Sequence, residues 1–220
     1  MNGSSLTAPL HSFYLQPHSH TLISDASGTA RGAYCIETGK WWRVEFDESV
    51  QTRLRSVEER DEISINVLEL LGMVVTAWAF VTLERARPRF RGESLLMKGD
   101  NMSAIHWISR CRGGRDPRSA ALMRILGGLK VSSGWCFHAK HVAGIDNVIA
   151  DGISRWTGTS ITDSLRKIRP DIHWQEQSWG QAGIKLCSGI LAPTSSGAQL
   201  RSRLNTLTRQ VSGLGPRFEG

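Results

Sequence analysis

Four carboxylates stand where the ordinary logic of a protein core would not place them. Asp25 closes the apolar run Thr21-Leu22-Ile23-Ser24, and Glu69 interrupts Leu68, Leu70 and Leu71. Asp100 follows Ser94-Leu95-Leu96-Met97-Lys98-Gly99, and Asp151 sits among Val148, Ile149, Ala150 and Ile153. Carboxylates in apolar surroundings are costly unless they are paired, hydrogen-bonded or bound to a cation. A group of them repels itself, and a divalent ion relieves that repulsion. Hard oxygen donors without a Cys/His set select Mg2+ or Mn2+ rather than zinc. Two such ions, roughly 3.5–4 Å apart, suit phosphodiester hydrolysis, one activating the attacking water and the other stabilising the leaving oxygen. No protein nucleophile is needed, and the chain carries no Ser/His/Asp pattern. Read singly, Asp25 before Gly28 is a turn acid, Asp100-Asn101 is a helix cap, and Asp151 is a solvated helix residue. Glu69 is the hardest to read that way, because its leucine neighbours bury most faces of its helix. The weight lies in the combination, in order, of Asp, Glu, Asp and Asp, each at a functional end or face of its element.

The elements that must position these acids are legible in the apolar pattern. Residues 21–25, 33–36 and 41–46 read as three strands joined by tight turns, an antiparallel meander. Residues 47–63 are charged and read as a loop. Residues 64–84 are too long for a strand and apolar on most faces, which predicts a buried helix, ended by the segment 85–91 with Pro88. Residues 94–98 form a fourth strand, 102–111 a helix closed by Gly113-Gly114, and 117–130 a helix with Pro117 at its start. Residues 135–141 give a fifth strand and 146–156 a last helix. The order β-β-β-α-β-α-α-β-α predicts an α/β fold with a mixed five-stranded sheet flanked by helices.

The ends of the chain look different. Residues 1–18 read as a flexible lead-in and residues 19–157 as the domain. Residues 158–220 are rich in Ser, Thr, Gly and Gln, with eight Lys/Arg against four Asp/Glu. They read as a basic, largely unstructured tail in which 200–211 forms a short helix, and the tail is expected to be dispensable for catalysis. The formal charge of +7 favours polyanionic partners. The four cysteines have no metal-knuckle spacing and no secretory signal precedes them, so reduced thiols in an intracellular protein are expected. The richest apolar stretch, residues 67–83, is interrupted by Glu69, Thr76 and Thr82, and no membrane span is expected.

Four segments together resemble ribonuclease H, most closely the domain in reverse transcriptase polyproteins of long-terminal-repeat (gypsy-like) and DIRS-type retroelements. They are Ser24-Asp25-Ala26-Ser27, Asn66-Val67-Leu68-Glu69-Leu70-Leu71, Lys98-Gly99-Asp100-Asn101, and the run from His141 through Gly144, Asn147 and Ala150-Asp151 to Ser154-Arg155. The last is the most specific, and the likeness covers roughly residues 19–157. The resemblance implies a ribonuclease H-like fold that cuts the RNA strand of RNA–DNA hybrids. It implies that Asp25, Glu69, Asp100 and Asp151 hold two Mg2+ ions, with Mn2+ as a substitute. It implies that His141 assists proton transfer or product release, against the plainer reading that it only ends the fifth strand. Asn147 would orient the last helix or touch the hybrid, against a plain cap, and Asn101 would contact the sugar-phosphate backbone. Arg110, Arg112, Arg115 and Arg118 stand where many cellular members carry a longer basic lobe and would form a handle for the hybrid, against a solvated basic loop. The chain carries no visible polymerase segment, so a fragment or remnant of a larger polyprotein is expected, with a polymerase domain as partner. Two alternatives stand beside this reading: an integrase or transposase of DDE type on the same fold, and a domain that only binds hybrids or scaffolds a polymerase. The early helical Glu69 argues against the first, and the full set of four acids leaves nothing that requires the second.

Overall fold

A computed structural model describes residues 18–55, 63–84, 93–192 and 196–213. The expected lead-in up to residue 17 and the helix stop around Pro88 lie outside the described residues. Three strands, β1 (His20–Ala26), β2 (Ala30–Cys35) and β3 (Lys40–Glu45), form the antiparallel meander. Gly39, in the left-handed region at φ 66°, makes the second turn. After α1 (Glu48–Arg55) comes α2 (Ile65–Glu84), then β4 (Ser94–Gly99), α3 (Met102–Ser109), α4 (Pro117–Ser133) and β5 (Cys136–His141). A single 3-10 turn (Gly144–Asp146) leads into α5 (Val148–Ser154), followed by α6 (Ile161–Ile168), β6 (Gln175–Gln177), α7 (Gly180–Leu191) and α8 (Gly197–Gly213).

The strands lie in the order β5-β4-β1-β2-β3-β6, with β4 parallel to β1 and to β5, and β6 parallel to β3. The architecture is therefore α/β with a mixed sheet, but of six strands rather than five. Both sheet faces are covered. Trp42, Cys35 and Ala33 face a core shared with α2, α4, α7 and α8, while Trp41, Tyr34 and Ile23 face a smaller one shared with α5 and α6. This explains two adjacent tryptophans that are both buried: each serves its own face. Helix α2 is apolar around most of its circumference because it is buried on most of it. By length and composition it could cross a membrane, yet most of it lies inside the protein.

Two expectations are corrected. The charged stretch after β3 contains a helix, α1, whose first turn is capped by Asp47 through the Val50 N–H at 3.0 Å. Residues 158–220 are not a largely unstructured tail. Among the described residues they supply three helices and a sheet strand, and they bury Trp174, Trp179, Leu186, Cys187, Ile190, Leu191, Leu200 and Leu204. The C-terminal end of α7 is held by three guanidinium groups, from α1, α4 and α8. Arg118 donates to the Ile190 carbonyl at 3.2 Å, Arg53 to Leu191 at 2.6 Å and Arg203 to Ala192 at 2.9 Å. A helix C-terminus exposes unpaired carbonyls and a partial negative charge, and arginines answer both. The helix at 200–211 is present within α8.

Candidate functional site

Asp25 is the sixth residue of β1, at the end of the sheet where β4 stops and Asp100 follows. Glu69 lies in the second turn of α2, and one of its oxygens accepts the Ala26 N–H at 3.2 Å. Oxygens of Asp25, Glu69 and Asp100 lie within 4.8 Å of one another. Asp25 and Glu69 are each 5 % exposed, and Asp100 is half-buried. Asp151 is not within that close group. It stands on the neighbouring α5, where Arg155 one turn later donates to it at 2.5 Å, and it is near enough to act on Asp25 electrostatically.

α5 is brought onto the sheet by the absence of a side chain. A Cβ on Gly32, which pairs with Asp25 across β1 and β2, would sit 2.5 Å from the Ser154 N and 2.6 Å from the Ala150 O. Arg43 of β3 then satisfies the end of α5, donating to the carbonyls of Ile153 and Trp156, each at 3.1 Å. From α5 the Ser154 hydroxyl donates to Asp25 at 2.6 Å, and the Asn147 amide donates to its other oxygen at 3.3 Å. Asp25 is thus fixed by two residues more than a hundred positions away in sequence.

Two expected contacts with nucleic acid, those of Asn147 and Arg118, are corrected here. Asn147 is 1 % exposed and touches Asp25 rather than solvent, and its side chain makes no cap bond to α5. Arg118 is 5 % exposed and belongs to the fastening of α7. Asn101, half-buried, caps α3 by accepting the Ala104 N–H at 3.0 Å, and its amide donates to Asn66 at 2.8 Å. Arg110, Arg112 and Arg115 are exposed. Their loop is tight: a Cβ on Gly113 would meet the Ala120 N at 2.6 Å and one on Gly114 the Trp107 ring at 2.5 Å. It lies one eight-residue helix, about 12 Å, beyond Asp100. His141 is exposed at the end of β5, paired in register with Gly99 beside Asp100. Sequence reasoning did not assign Ser154, Asn66 or Gly32. Ser154 stood within the segment of closest resemblance.

The electrostatics are those of a self-repelling cluster. Burial, then the charges of Asp25 and Asp100, push the Glu69 carboxyl up to about 8. Burial likewise raises Asp25, opposed by the Ser154 hydrogen bond and reinforced by Asp151 and Asp100. Converging oxygens whose ionised form is disfavoured fit a divalent cation well, since the cation supplies the missing charge. The folded state takes up more protons than the unfolded one between the ordinary Glu value of 4.5 and about 8. The contribution of Glu69 to metal-free stability is therefore greatest below pH 4.5, falls as pH rises, and levels off above 8. At 1.36 kcal/mol per pKa unit the loss is at most about 5 kcal/mol. Melting in EDTA at pH 5.5 and 8.5 checks this: the wild type should lose several degrees at the higher pH, Glu69→Gln should lose little, and Mg2+ should restore the wild type.

The class defined by fold and site is an α/β protein with a mixed sheet and an oxygen-only acidic centre at one sheet end. No family model, no curated protein and no solved structure matches the chain.

Proposed function

We propose that the protein hydrolyses the RNA strand of RNA–DNA hybrids, on a ribonuclease H-like fold, as part or remnant of a retroelement reverse transcriptase. The observation that carries this reading is the convergence of Asp25, Glu69 and Asp100, with Asp151 alongside, from four separate elements. The chemistry implied for the centre is that of two Mg2+ ions, with Mn2+ as a substitute, which lower the pKa of the attacking water and stabilise the leaving oxygen. The residues that would hold them are Asp25, Glu69 and Asp100, joined by Asp151 once it exchanges Arg155. Ser154 and Asn147 keep Asp25 in one orientation, and the Asn101–Asn66 pair ties the segment after β4 to the start of α2. His141, exposed at the same sheet end, would assist proton transfer or product release in this reading.

The exposed Arg110, Arg112 and Arg115 are the handle for the hybrid's phosphates in this reading. Replacing all three with Gln should weaken hybrid binding and flatten its salt dependence by about 0.9 log–log unit per lost phosphate contact, with turnover at saturation nearly unchanged. An unchanged slope in an anisotropy titration would leave the loop as solvated surface.

Substrate choice tests the reading against a DDE-type recombinase. The 2′-hydroxyls of the RNA strand let a protein tell RNA from DNA. With Mg2+, the RNA of a labelled hybrid should be cut and duplex DNA of the same sequence left intact; equal cutting would favour the recombinase.

A further inference from the structure

Arg31 is hard to account for as a structural group. It stands on β2, 1 % exposed, beneath α2. Its Nη1 donates to the Cys187 sulfur at 3.5 Å, and its guanidinium lies 4.6 Å from the Phe46 ring centroid and 6.0 Å from that of Trp179. Its Nε and Nη2 are buried and have no hydrogen-bond partner. A thiol is a weak acceptor, and a buried cation is costly unless paired or hydrogen-bonded. The contrast with Arg53 and Arg118 is direct, since both donate to backbone carbonyls.

Arg31 also lines a cavity of about 320 Å³ between the end of β3, α1 and α7. Its walls include Val44, Phe46, Val50, Ile184 and Leu191. The two acids on its lining are already engaged. Glu45 pairs with Arg43 at 2.5 Å, and Asp47 accepts the Ser49 hydroxyl at 2.6 Å and the Val50 N–H. The volume lies at the small end of the range for small-molecule sites, roughly 300–1,000 Å³.

We propose that this cavity binds a compact monocarboxylate with an apolar body, the carboxylate meeting Arg31 and the body lying against Val44, Val50, Ile184 and Leu191. A guanidinium fork matches a carboxylate with two parallel hydrogen bonds, which is what the partnerless nitrogens lack. The cavity shares no lining residue with the acidic centre, and the two meet only through the charge of Arg31, which acts on Glu69.

Thermal melting of the full chain tests it, with benzoate and hexanoate as probes, benzyl alcohol and hexanol as their neutral counterparts, and chloride to match ionic strength. At about 10 mM the carboxylates should raise Tm by several degrees, because a ligand that binds only the folded state stabilises it, and the alcohols should not. Arg31→Met replaces a buried cation whose Nε and Nη2 have no hydrogen-bond partner with an apolar chain of similar length; it should melt no lower than wild type and lose the response. Ile184→Trp, which fills the cavity from its half-exposed wall and leaves Arg31 in place, should also lose it, and decides the matter if Arg31→Met does not fold. Equal shifts from acids and alcohols, a response retained in a folded variant, or no shift from either carboxylate would overturn the proposal and leave Arg31 a buried structural cation only.

Discussion

Asp100→Asn is expected to fold and to lose hybrid cleavage by about 10³-fold or more, the scale on which removing one charge-stabilising group from a hydrolytic centre is felt. The substitution keeps the shape of the side chain and deletes one negative charge from the group formed with Asp25 and Glu69. The same charge raises both neighbours. In metal-free buffer near pH 8 the variant should therefore melt higher than wild type while binding Mg2+ or Mn2+ more weakly. The opposed signs separate a ligand from a structural acid. A residue needed for folding would lower stability on replacement, and a solvated helix cap would change neither quantity much. Cleavage at the wild-type rate by Asp100→Asn would remove Asp100 from the centre.

The second large effect concerns the C-terminal segment. Truncation after Thr157 is expected to give a protein without a cooperative melting transition. It removes Trp179, Leu186, Ile190, Leu191, Leu200 and Leu204 from the main core and Trp174 from the smaller one. At roughly 1.5–3 kcal/mol for each large apolar side chain, the loss is about 10 kcal/mol or more, as large as the whole stability of an ordinary domain. It also takes away the carbonyls that Arg53 and Arg118 hold, and a buried guanidinium left without its acceptors is itself destabilising. Circular dichroism and melting of the truncated chain check this. A folded, cooperatively melting fragment would show that the segment packs on a domain complete without it.

Sequence reasoning reached the acids and the first five strands because those signals are local. Short alternating runs, tight turns and a long apolar helix are each contained within some twenty residues. The C-terminal segment was illegible for the opposite reason. Its apolar residues are thinly spread among Ser, Gly and Gln, as in Leu200, Leu204 and Leu207 of α8, and gain meaning only from the faces of α4 and α7 that they meet. Arg118 was grouped with its neighbours Arg110, Arg112 and Arg115 because a run of arginines reads as one patch; the start of α4 turns it inward toward the end of α7. Asn147 and Ser154 carried a motif but not a direction. Their grip on Asp25 depends on how closely α5 approaches β2, which Gly32 decides through contacts more than a hundred residues away. α1 was hidden by charge, since only its packed side, with Val50 and Arg53, is buried.

In the proposed reading, Asp25, Glu69, Asp100 and Asp151 form one metal-dependent hydrolytic centre for RNA in a hybrid. The most direct measurement is cleavage of a hybrid labelled on either strand, with Mg2+ and with EDTA, by the wild type and by Glu69→Gln. The account predicts Mg2+-dependent internal cuts in the RNA strand only, abolished by EDTA and by Glu69→Gln. An intact RNA strand with the folded wild type in both Mg2+ and Mn2+, or cutting that persists in EDTA or in Glu69→Gln, would contradict it.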